Sequence, residues 1–215
     1  MIIRIRQREN GLRLRYDLDG EGFLFQGERG GMAPVQPITL AGCDVTLTGT
    51  YRLSSPVNHV PLLGIFGAEQ RTRVFEISRN GGVIGTAAKS LHGWGKSCYV
   101  IDLADGTELR CYSRRKGQFD YVAIYEDAEQ IALLENYLRA VDGRHDHKLY
   151  LLDAYSRHAE VLAWFALYYA QHEVEQTGDV TFAISFSRYD GKVDPAWRET
   201  HFPEENFFGK TKPFG

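Results

Sequence analysis

The sequence predicts a mainly β chain: an antiparallel closed barrel of hairpins wrapped around one long hydrophobic helix near the C-terminus. Three observations lead there. Asn-Gly and Asp-Gly pairs recur between short alternating or apolar runs, at Asn10-Gly11, Asp19-Gly20, Asn80-Gly81, Asp105-Gly106 and Asp190-Gly191. Such pairs accept the positive φ angles of tight hairpin turns. The 215 residues include 22 Gly and 13% aromatic side chains, a mixture of turn formers and strand formers. One ten-residue stretch, VLAWFALYYA at Val161–Ala170, carries no charge, Gly or Pro.

Taken in order, IIRIRQ, LRLRYDL and GFLFQ read as the first strands. GERGGMAPVQPITLAG, residues 27–42, is rich in Gly and Pro and reads as a loop. RVFEIS, GVIGTA, CYVIDL, ELRCYS, YVAIY, QIALL and KLYLLD continue the strand series, and VTFAISF is a further candidate beyond the helix. The helix covers about Ala154–Glu173, with Asp153 as its N-cap. A membrane span needs about 20 apolar residues, twice this run. A helix apolar on every side is not a surface helix. Burial within protein is what remains, and strands must surround it. Val161, Leu162, Trp164, Phe165, Leu167 and Tyr168 are its expected core residues. No Ser/Gly linker divides the chain, so residues 1–215 read as a single domain. Its core covers 1–190, and 191–215 form an irregular extension that packs by its aromatics.

Several hairpins in this order resemble one family. LRLRYDLDGEGFLFQGE, VFEISRNGGVIGTAAKS, FDYVAIYEDAEQIALLEN and KLYLLDAYSRHAEVLAWFALYYA are similar to successive units of the tubby C-terminal-like superfamily. That group includes LURP-one-related proteins, phospholipid scramblases and bacterial members. The resemblance covers most of residues 1–173. It implies a barrel around a central helix and a non-enzymatic module, of which some members bind phosphoinositides or other anionic lipids. No individual binding residue carries over. The chain departs from the pattern by continuing roughly forty residues past the helix.

The net charge of −3 provides no global basic field for nucleic acid. The N-terminus has no secretory apolar region, and Ile2 stands where myristoylation requires Gly. A cytoplasmic protein with no transmembrane span is expected, peripheral to the membrane where lipid is engaged. Dinucleotide, phosphate-loop, metalloprotease and serine-hydrolase motifs are absent from the sequence, so no cofactor, metal or enzymatic activity is expected. Cys43, Cys98 and Cys111 are an odd set without a CxxC pair and read as free thiols. A two-residue Asp105-Gly106 turn would make Cys98 and Cys111 diagonal neighbours on one face. His145 and His147 alternate as metal ligands on a strand would, but without a third ligand they read as a solvated turn.

The strongest functional lead is the first hairpin. A two-residue turn at Asn10-Gly11 sets Arg8 opposite Arg13, Arg6 opposite Arg15 and Arg4 opposite Asp17. Alternation then places Ile3, Ile5, Leu12, Leu14 and Tyr16 on one face, and Arg4, Arg6, Arg8, Arg13 and Arg15 on the other. Like charges directly opposite cost a few tenths of a kcal/mol or more. An anionic phospholipid head group or an acidic protein surface would offset that cost, and so would Asp17, Glu28 or a neighbouring strand. The alternatives are a protein-interaction or regulatory domain without lipid binding, and a hydrolase with its site in the barrel mouth.

Overall fold

The computed structural model describes residues 1–9, 13–30, 36–52, 70–92, 96–137, 145–171, 192–194 and 196–203. Twelve antiparallel strands form a closed barrel. They are β1 (Ile2–Glu9), β2 (Arg13–Gly20), β3 (Phe23–Gly30), β4 (Ile38–Ala41), β5 (Thr46–Tyr51) and β6 (Gln70–Arg79), then β7 (Gly82–His92), β8 (Lys96–Leu103), β9 (Glu108–Lys116), β10 (Phe119–Glu126), β11 (Glu129–Tyr137) and β12 (Asp146–Leu151). Each strand pairs with its sequence neighbours, and β12 closes on β1 with Ile5 opposite His147. Closure leaves the described strands no free edge for another chain to pair with.

A 3-10 turn over Asp153–His158 leads into α1 (Ala159–Tyr169), which lies inside the barrel. Asp153 does not cap it; its carboxylate accepts a hydrogen bond from the Met1 amine at 2.5 Å. Leu162, Trp164, Phe165, Leu167 and Tyr168 are fully buried and Val161 nearly so. The packing is largely aromatic: Phe75 meets Tyr168 at 5.2 Å between ring centroids, and Tyr99 meets Tyr169 at 5.3 Å. Polar tips are satisfied by the barrel wall. Trp164 Nε1 donates to the Ile38 carbonyl at 3.1 Å, and the Tyr168 hydroxyl to the Arg73 carbonyl at 2.9 Å. No helix among the described residues is long and apolar enough to cross a membrane.

Several local expectations are corrected. Residues 27–42 are not one loop: β3 runs on to Gly30, and Ile38–Ala41 form β4. β5 (TLTGTY) adds a strand that the motif reading passed over. Its Gly49 faces α1 where the Trp164 ring fills the space a Cβ would need. The β2–β3 turn is Glu21-Gly22, with Gly22 at φ 68°, because Gly20 pairs with Phe23. Asn80-Gly81 is the expected two-residue turn, both residues at positive φ. The β8–β9 register pairs Tyr99 with Cys111. Both belong to the inner core, so Cys98 falls on the opposite face by alternation. Cys98 and Cys111 are buried free thiols, but not same-face neighbours. Asn10-Gly11, Leu12, Asp190-Gly191 and VTFAISF lie outside the described residues. Within the C-terminal extension, Trp197–His201 form a short helix, α2, that packs on the barrel's outside.

Candidate functional site

The face segregation of the first hairpin holds. Ile3, Ile5, Leu14 and Tyr16 are buried in the inner core, and Arg4, Arg6, Arg8, Arg13 and Arg15 are exposed on the outer face. The register differs by two residues. Arg6 stands opposite Asp17 and Arg4 opposite Asp19, and a bulge at Arg8 then brings Glu9 opposite Arg15. A one-residue slip would exchange the two faces, whereas a slip of two leaves each side chain on its own face. The slip changes only which side chains meet, and here it replaces Arg–Arg pairs by Arg–carboxylate pairs.

Arg13 donates to Glu28 at 3.0 Å. Arg15 donates to Glu9 at 3.2 Å and lies 3.5 Å from Glu28. Arg6 and Arg8 approach Asp19 and Asp17 at 3.9 and 3.8 Å. The patch therefore carries five arginines interleaved with Glu9, Asp17, Asp19 and Glu28. These side chains keep much of their solvent contact: Arg15 is 51% and Arg13 72% exposed. Exposed pairs of this kind contribute about 0–1 kcal/mol each, so an incoming anion can exchange with a carboxylate at small cost. Beside them the curved outer face of β1–β4 forms a groove of about 500 Å³, lined by Arg8, Glu9, Arg15, Asp17 and Glu28 among others.

A second polar cluster was not anticipated. It lies inside the barrel at the end where α1 terminates. On the inner side of β10–β12, Asp120, Asn136 and His147 come into line, because Asn136 pairs with both Asp120 and His147. Tyr169 of α1 donates its hydroxyl to Asp120 Oδ2 at 2.6 Å. Across β1, Gln7 Oε1 accepts the His145 N–H at 3.0 Å. On β2 and β3, Arg29 donates to the Tyr16 hydroxyl at 3.1 Å. Burial lowers the Arg29 pKa and raises that of Tyr16, and each partly offsets the other's shift through their contact.

His147 is 1% exposed, and neither ring nitrogen has a hydrogen-bond partner. Burial, followed by the charges of His145 and Arg29, pulls its pKa down to about 3, so the imidazole is neutral at pH 7. The expected solvated turn at His145–His147 is thus the start of a barrel strand with His147 pointing inward. The signal was present as the alternation HKLYL, with His147, Leu149 and Leu151 on one face. Among the described residues, no group of three or more His, Cys, Asp or Glu side chains is placed to hold a metal ion. His158, at the start of α1, shares Glu126 with Arg157 at 3.1 and 2.6 Å.

Comparison with protein-family models, with curated proteins and with solved structures gives no match.

Proposed function

We propose that this chain is a non-enzymatic binding module of the tubby-like kind, whose outer β1–β4 face engages the head groups of anionic phospholipid. The observation that carries the reading is the display of Arg4, Arg6, Arg8, Arg13 and Arg15 on one exposed face beside a groove. The interior supports a scaffold role, since α1 occupies it and Asp120 is engaged by Tyr169. The resemblance to the tubby C-terminal-like superfamily and its bacterial members points the same way, and with it a cytoplasmic site of action at the membrane periphery. The interleaved carboxylates make the interaction weak and reversible, and sensitive to ionic strength.

Co-sedimentation with phosphatidylcholine vesicles, with and without phosphatidylserine or a phosphoinositide, tests it. The chain is expected to follow the anionic vesicles only and to be released as salt shortens the screening length. A basic residue near an anionic surface contributes about 1 kcal/mol. Arg6→Glu/Arg15→Glu should therefore weaken binding by at least about thirtyfold, and Glu9→Gln/Glu28→Gln should strengthen it. Unchanged binding by the Arg6→Glu/Arg15→Glu protein would refute the reading.

A second reading, an acidic or mixed-charge protein partner with no lipid involved, draws on the same interleaving. Alternating charges select a partner by register better than they attract a uniformly charged surface. Under that reading no vesicle composition sediments the chain.

A further inference from the structure

The outer faces of β1–β4 are mostly polar, Leu24 apart, whereas outward positions of β7–β8 and of β10–β12 are buried. On β10–β12 the outward positions Tyr121, Ala123, Leu133, Glu135, Lys148 and Tyr150 are all buried. Among the described residues, 192–194 and 196–203 pack over them. Buried Val193 and partly buried Trp197 and Phe202 complete an apolar cluster with Tyr121, Ala123, Leu133 and Tyr150, distinct from the core around α1. The Phe202 ring lies 5.4 Å from Tyr150 and 5.9 Å from Trp197. Two side chains of the barrel hold the segment by its backbone. Tyr125 donates its hydroxyl to the Lys192 carbonyl at 2.8 Å, and Arg114 donates to the Val193 carbonyl at 3.4 Å.

A buried charge anchors the segment. The Arg198 guanidinium sits 3.4 Å from Glu135 Oε2 and 5.5 Å from the centre of the Tyr150 ring. Tyr150 donates to the same carboxylate oxygen at 3.2 Å, and Lys148 pairs with Glu135 across the ladder. The Arg198 and Glu135 side chains are 2% and 1% exposed. An arginine and aromatics seated in a desolvated surface pocket are the composition of a peptide-binding hot spot. The segment adds no strand to the barrel and nothing to its inner core. Its helix has five residues, too few to persist without the surface beneath it.

We propose that the outer sector of β10–β12 is a peptide-recognition surface and that residues 192–194 and 196–203 are its internal occupant. A partner segment with an aromatic-arginine pair and a second aromatic four residues after the arginine, the spacing of Trp197, Arg198 and Phe202, competes for the same place. The surface is a second contact region, separate from the Arg-rich face.

A fluorescein-labelled peptide of sequence 192–203, titrated into full-length protein and followed by anisotropy, tests this. Arg198→Glu releases the internal segment, so that protein should bind the peptide at least about tenfold more tightly than wild type. Adding Glu135→Lys should abolish the gain. Hydrogen exchange on the wild type gives an independent measure. Amides of 197–202 should exchange at least about 100-fold faster than those of β10 and β11, through a local opening. Three outcomes would each overturn the proposal: no peptide binding by Arg198→Glu, an Arg198→Glu segment as protected as in wild type, or a wild-type segment that exchanges in step with β10 and β11. Should Arg198→Glu fail to fold, the wild-type exchange decides alone.

Discussion

Gly49→Ala is a one-methyl perturbation whose cost follows from a single close approach. A Cβ at position 49 would lie 2.6 Å from Cε2 of Trp164 and closer still to Cζ2, where ordinary contact begins near 3.4 Å. Neither side can retreat freely. Position 49 is held in β5 between Ile38 and Ile77, and Trp164 is fully buried and hydrogen-bonded to the Ile38 carbonyl. Overpacking a core this way costs about 1–3 kcal/mol, occasionally more. The stiffer unfolded chain returns about 0.4–1 kcal/mol, leaving a loss of about 1–2 kcal/mol. Urea unfolding followed by tryptophan fluorescence should show a midpoint lower by about 0.5–1 M, given slopes of about 1–3 kcal/mol/M. A double-mutant cycle identifies the cause. Trp164→Phe removes the ring atoms in conflict, so Gly49→Ala should cost within about 0.5 kcal/mol of nothing in that background. Equal costs in both backgrounds, or a fully stable Gly49→Ala, would refute the packing argument and with it the placement of α1 against β5.

Other expectations follow from the same geometry. Leu162→Asp, which buries a carboxylate among apolar groups, should lose several kcal/mol and fail to give soluble folded protein; a folded variant by circular dichroism would remove α1 from the core. His147 is neutral in the fold, with its pKa lowered to about 3 against 6.5 for an ordinary histidine. The unfolded chain therefore binds the extra proton between those values. His147's contribution is fully present above pH 6.5 and is lost as pH falls towards 3, at up to about 1.4 kcal/mol per pH unit. His147→Asn should flatten the decline in urea midpoint between pH 7 and pH 5, and an unchanged decline would disprove inward burial of His147. The vesicle-binding and peptide-competition experiments complete the set.

The barrel and its central helix were legible because both depend on local chemistry. VLAWFALYYA has too few residues to span a membrane and no polar side to face water, so strands had to enclose it. Asn80-Gly81 gave its turn correctly because that turn type selects those residues by backbone angle. β4 was missed because the alternation of four residues next to Gly and Pro is too short to stand out; its partners on β3 and β5 hold it in place. At Asp19-Gly20 a stronger local turn signal lost to the pairing of Gly20 with Phe23. The Arg face was found for a sound reason, and Asp17 and Glu28 do pair with it, but the cross-strand register assigned to it was off by two residues.

That last difference marks the division between chain and fold. Alternation along a strand has a period of two, so the sequence by itself determined which side chains face the core and which face solvent. It could not determine register in steps of two, because every such step satisfies the same alternation. Only the closed barrel, by pinning β1 between β2 and β12, decided that Arg6 meets Asp17 and that Arg4 meets Asp19. It also decided that Asp120, Asn136 and His147 gather at one end of the interior. Their separation along the chain is large, and the hydrogen-bonded ladder brings them together. Likewise, the aromatic residues of the extension were visible as such, but the buried carboxylate that receives Arg198 exists only where β11 and β12 lie side by side.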